Sequence, residues 1–106
     1  MTDILTVLTT TDTAERAAEL ARGAVRDRLA ACAQVNGPVT SVYRWQGEIH
    51  ADPEWQVLLK TTTNRYEALE AYLRQAHTYD VPEIIAAPVT GGSADYLAWV
   101  ARECDG

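Results

Sequence analysis

Residues 77–85 read HTYDVPEII and gather an imidazole, a phenol and two carboxylates around a single proline, where a helical pattern gives way to a strand. Groups of these types move protons or ligate metal ions. Pro82 has a fixed φ and no N–H, and it pushes Val81 toward an extended conformation, so the side chains of His77, Tyr79, Asp80 and Glu83 are carried by a stiff junction. A plainer role exists for the same residues: a histidine at a helix C-terminus complements the helix dipole, and a proline soon after it is a common stop signal.

A second constellation surrounds the first. Tyr43 and Trp45 lie on one predicted strand, Glu54 and Lys60 on its partner, and Tyr79 and Glu83 follow the second helix; these converge if a cleft lies between subunits. Aromatic, cationic and anionic side chains in one concavity suit a small polar metabolite. The competing role is packing, since Trp and Tyr are enriched at protein interfaces. No Ser-His-Asp order, nucleophile elbow, P-loop or GxGxxG occurs, and a lone histidine beside carboxylates specifies no reaction, so the chain is not expected to be an enzyme.

These residues must be positioned by a single domain, residues 1–106, large enough to bury about two-thirds of its unfolded surface. At 47% hydrophobic and 23% charged residues, the composition is that of an ordinary soluble globular protein. A formal net charge of -6 argues against nucleic acid or an anionic membrane as the main partner and leaves cations and other proteins. MTDILTVL lacks a basic n-region and reads as a strand, not a signal peptide, and no apolar run reaches the roughly 18 residues of a membrane span. A cytoplasmic location is expected. Cys32 and Cys104 match no zinc or CxxC spacing, which fits a reducing compartment and two inert thiols.

Alternation predicts a first strand over residues 4–10. Asp12 and Glu15 resemble a capping box, and Ala14, Ala18, Ala21, Val25 and Leu29 recur at helical spacing, giving a helix from about 13 to 31. Residues 32–45 are β-prone, with a bulge or bend expected at Asn36-Gly37-Pro38. QGEIHADPE, residues 46–54, is expected to turn the chain into an antiparallel strand at 55–62. Asn64 and Glu67 form another capping pair for a helix over about 65–77, with Tyr66, Leu69, Leu73 and Ala76 on its inner stripe. A strand from Pro82 to Val89 follows. Ser93 then caps a short last helix facing inward through Leu97, Val100, Ala101 and Cys104.

The order βαββαβ predicts an α+β, ferredoxin-like fold: a four-stranded antiparallel sheet with both main helices on one face. Apolar residues of both parities, as in Val57, Leu58 and Leu59 or Ile84 and Ile85, call for burial of both sheet faces. Two helices cannot provide that, so sheets of several subunits are expected to pack together.

Four segments taken together, TVLTT at 6–10, RLAACAQV at 28–35, SVYRWQGEI with EWQVLLKT at 41–61, and HTYDVPEII with YLAWV, resemble the CutA divalent-cation tolerance family, from residue 4 to about 101. The resemblance implies a ferredoxin-like subunit in a PII-like homotrimer, a role in the response to divalent metal ions, copper above all, and copper binding. Where copper ligands are assigned in the family, a cysteine stands at the position of Thr9 and a pair of histidines ends the second helix. Here that pair is Ala76 and His77, and the usual His-Pro-Tyr is His77-Thr78-Tyr79.

One imidazole with hard oxygen donors is a poor set for selective copper capture. A site of His77 with Asp80 or Glu83 and water would bind Cu(II) or another divalent cation weakly, and no organic cofactor is implied. His50, the other histidine, is expected to be solvated. Three functions follow: a metal-binding tolerance protein, a PII-like sensor with a small molecule in the intersubunit cleft near Lys60, or a stable trimeric scaffold.

Overall fold

The computed structural model describes residues 3–105. Its elements in chain order are β1 (Ile4–Thr11), α1 (Ala14–Arg26), β2 (Cys32–Trp45), β3 (Glu48–Thr62), α2 (Thr63–Ala76), β4 (Ile84–Pro88) and α3 (Ala94–Cys104). The sheet order is β2-β3-β1-β4 and every neighbouring pair is antiparallel, which is the expected ferredoxin-like arrangement with an added C-terminal helix.

Register decides which residues meet the helices. Val7 lies opposite Leu59 on β3, and these two, with Val57, form the sheet side of the core. Ala17, Leu20, Ala21 and Ala24 of α1 and Leu69 and Leu73 of α2 close it from the other side. The opposite parity carries Leu58, Leu8 and Ile85 in one cross-strand row, with Ile85 56% exposed. In the single chain, therefore, one sheet face is covered by helices and the other is not.

The buried stripe of α1 differs from the one predicted by spacing. Ala21 is common to both, but Ala14 and Ala18 are exposed and Val25 is 40% exposed. In an alanine-rich helix the small residues mark no phase, and Leu20, the bulky residue of the central turns, sets it. Thr13, not Asp12, caps the helix, its hydroxyl accepting from the N–H of Arg16 at 3.0 Å. The helix also stops at Arg26 instead of 31. Arg28 adopts φ 58°, and the N–H groups of Leu29 and Ala30 turn back onto the Ala24 carbonyl, which releases Ala31 to donate to the Lys60 carbonyl at 2.9 Å.

The β2–β3 hairpin is longer than predicted. Of residues 46–54, only Gln46 and Gly47 turn the chain, at φ 50° and 82°, a two-residue turn of the kind whose twist suits a hairpin. β3 begins at Glu48, opposite Trp45. Low intrinsic strand propensity in EIHADP is overridden by pairing with Thr40–Trp45. Because β1 ends opposite Trp55, residues 48–54 have a neighbour on one side only, where Pro53 is tolerated. The predicted irregularity at Asn36-Gly37-Pro38 is present as a register shift between Asn36 and Val39, with a cis Gly37–Pro38 peptide.

α2 starts at Thr63, capped in backbone geometry by Thr62, so Asn64 and Glu67 lie within its first turns and form no cap. β4 spans Ile84–Pro88, shorter at both ends than the predicted Pro82–Val89. α3 is capped by Ser93, whose hydroxyl accepts from the Tyr96 N–H at 3.3 Å, and it buries Val100 and Cys104 against Ile4 and Ala31. Its last carbonyls receive Arg28 Nη1 on Glu103 and Arg65 Nε on Cys104, cations where the helix dipole favours them. No helix of the described residues is long and apolar enough to cross a membrane.

Candidate functional site

The hairpin, the end of β1 and the segment between α2 and β4 enclose a cleft of about 810 Å³. Extending β2 and β3 past the end of β1 leaves one wall made of Tyr43, Trp45, Asp52 and Glu54. The stiff Tyr79–Glu83 segment supplies the other, with Thr10 and Asp12 between them.

His77 holds that segment in place. As the C-cap of α2 it turns extended, at φ -77° and ψ 150°, and its ring reaches back to β1. Nδ1 accepts the Tyr79 N–H at 3.1 Å, which leaves the ring proton on Nε2, and Nε2–H donates to the Thr10 carbonyl at 2.7 Å. Both nitrogens are therefore engaged by backbone groups, and metal coordination through either would break one of these bonds. The ring also packs against that of Tyr79, with centroids 4.8 Å apart.

Tyr79 then crosses to the hairpin, its phenol donating to Glu54 Oε2 at 2.9 Å. Burial first, and then this bond to an anion, push its ionisation far above the ordinary phenol value. Tyr43 makes a parallel contact, donating to Asp52 Oδ2 at 2.5 Å, and its ionisation is raised chiefly by that bond. Each phenol stays neutral and holds one carboxylate oxygen.

The charge is one-sided. Asp12, Asp52, Glu54, Asp80 and Glu83 line the cleft, and none of the lining residues is Lys or Arg. Of the residues singled out in the sequence, Tyr43, Trp45, Glu54, Tyr79, Asp80 and Glu83 come together, and His77 supports them from behind. Lys60 is not among the lining residues. It lies six positions along β3 from Glu54, opposite Cys32 and Thr6, with its ammonium on the Gln34 side-chain carbonyl.

His50 stacks on Tyr43 with centroids 5.4 Å apart, so it is a half-buried ring rather than a solvated one. Asp12 and Asp52 were not legible as site residues. The Gln-Gly turn was the missing signal for Asp52, because it sets the register that brings residue 52 opposite Ser41, diagonal to Tyr43.

Among the described residues, no three His, Cys, Asp or Glu side chains are grouped closely enough to hold a metal ion. The donors of the cleft are hard oxygens, and both thiols lie elsewhere: Cys32 opens β2, and Cys104 is buried at the end of α3 with its ionisation raised by that burial. Such a set does not fit an inner-sphere copper site. Thr9, at the position where the family resemblance implies a cysteine ligand, is fully buried in β1.

Residues 5–103 match the family model described as CutA1 divalent ion tolerance protein. The divalent-cation tolerance protein CutA of Thermus thermophilus is 43% identical over 94 residues, covering 89% of this chain and 91% of that protein. The chloroplastic protein CutA of Arabidopsis thaliana is 38% identical over 96 residues, covering 91% of this chain and 53% of that protein, so this chain spans about half its length. The crystal structure of CutA from Xylella fastidiosa superposes with a TM-score of 0.94 at 36% identity, covering 97% of this chain and 99% of that one.

Proposed function

This chain belongs to the CutA1 divalent ion tolerance family, and from that premise we propose that it takes part in the response to divalent metal ions by binding them weakly, as hydrated cations, in the acidic cleft of a cytoplasmic homotrimer. The observation that carries this reading is the lining of the cleft by five carboxylates and no basic side chain. Hard carboxylate oxygens hold hydrated divalent ions through their water shells without the close grouping an inner-sphere site needs. Asp80 and Glu83, exposed and free of other hydrogen bonds or ion pairs among the described residues, are the proposed principal contacts, with Cu(II) one of several ions admitted. His77 orients them and is a ligand only if its backbone bonds open.

Assembly is supported by the Leu58–Leu8–Ile85 row on the sheet face that the helices leave open. Apolar residues in that position are the ordinary basis of subunit packing.

Calorimetric titration of metal-free protein with Cu(II) and with Zn(II), with mass by light scattering on the same sample, tests the proposal. Weak binding by a trimer, lost in the Asp80→Asn/Glu83→Gln double variant, is expected. A tight copper site lost on His77→Ala and indifferent to the carboxylates would sink it and return the ligand role to the imidazole.

A further inference from the structure

We propose that the same cleft binds a linear aliphatic polyamine, an organic cation carrying several ammonium groups along a methylene chain. This rests on reading the cleft as a cation site and goes beyond it in the class of ligand.

Size is the first argument. A cavity of about 810 Å³ lies in the range of small-molecule sites, far larger than a single ion requires. The carboxylates are also spread over separate elements, Asp12 after β1, Asp52 and Glu54 on β3, and Asp80 and Glu83 before β4. Asp52 and Glu54, two residues apart on one strand, share a face at about two strand rises, roughly 6.6 Å, a spacing that a short run of methylenes bridges between ammonium groups. Distributed charge matches a ligand whose charge is distributed.

The aromatic walls are the second and independent argument. Tyr43 and Trp45 are 43% and 53% exposed, and with Tyr79 they line the same cleft as Val42, Pro53 and Val81. Ring faces attract ammonium groups, and apolar side chains receive methylenes; a hydrated metal ion uses neither. The phenols of Tyr43 and Tyr79 pin one oxygen each of Asp52 and Glu54 and leave the other without a partner among the described residues. With Lys60 held elsewhere by Gln34, no cationic side chain among the lining residues competes for these anions.

The test is calorimetric titration of the full-length protein with spermidine at low salt, beside Cu(II) and Zn(II) and beside an uncharged glycol of similar length. Saturable spermidine binding is expected, with no heat from the glycol. The affinity should fall about tenfold in Asp80→Asn/Glu83→Gln, from loss of two solvent-exposed ion pairs, and several-fold in Trp45→Leu, from loss of a ring face. All three positions are exposed, so folding of the variants, checked by circular dichroism, is expected to persist. Metal binding without spermidine binding overturns the polyamine proposal and leaves the cation-site reading intact. Absence of both overturns both. Spermidine binding unaffected by either variant assigns it to diffuse attraction by an acidic protein and also overturns the proposal.

Discussion

Tyr79 and Glu54, 25 residues apart in sequence, are joined by a phenol-to-carboxylate hydrogen bond of 2.9 Å that ties the segment after α2 to the hairpin. Removing it in Tyr79→Phe should cost about 1.5–3 kcal/mol, the range for a bond to a charged acceptor, read as a lower urea midpoint at unchanged m. The phenol's raised ionisation also sets a pH dependence. Above its ordinary value near 10 the unfolded chain releases this proton while the folded chain keeps it, so the folded state binds more protons and stability falls as pH rises beyond that point. Stability measured from about pH 9 to about pH 11.5, across the ordinary phenol value of ~10, should decline less steeply in Tyr79→Phe than in the parent. Equal slopes would show that the Tyr79 phenol is not shielded.

The neutral imidazole of His77 should be the Nε2–H tautomer, because the Tyr79 N–H occupies Nδ1 and the Thr10 carbonyl faces Nε2. Nitrogen-15 chemical shifts of the imidazole distinguish the two forms directly. A resonance pattern of the Nδ1–H form would contradict the backbone clasp and leave Nε2 free for a metal.

Thr9 is fully buried and its hydroxyl has no hydrogen-bond partner among the described residues. An unsatisfied buried polar group costs about 1–3 kcal/mol, so Thr9→Val should raise the unfolding free energy by about 1 kcal/mol. Equilibrium denaturation checks this. A loss of stability would mean that the hydroxyl finds a partner in the assembled protein.

Gln46 holds φ 50° beside Gly47 at 82° in the hairpin turn. Asn and Gly adopt this left-handed conformation at lower cost than Gln, so Gln46→Asn should stabilise the protein by a few tenths of a kcal/mol up to ~1. Thermal unfolding of the pair measures the difference. No gain, or a loss, would show that Gln46 makes a compensating contact in the assembly.

Local pattern and residue type determined much of this protein. Period-2 alternation marked β1, the stripe Leu97, Val100, Ala101 and Cys104 gave the inner face of α3, Pro38 located the break in β2, and the joint order of the motifs identified the family. The first three survive in sequence because each depends on neighbours within a few positions, and the family match because motif order is itself a property of the sequence. The phase of α1, the length of the hairpin and the membership of the cleft did not survive in that way. Alanines give a helix no strong direction until Leu20 finds the core, and weak strand formers at 48–54 become a strand only when β2 pairs with them. Asp52 joins the cleft through the hairpin register, and Asp12 through its place just after the end of β1. His77, the most suggestive residue of the chain, holds backbone with both ring nitrogens, and within the single chain Lys60 donates to Gln34 and lies outside the cleft lining. Chemical type is a property of the residue, but the partner that occupies each donor and acceptor is chosen by long-range packing, and only the tertiary structure decided it.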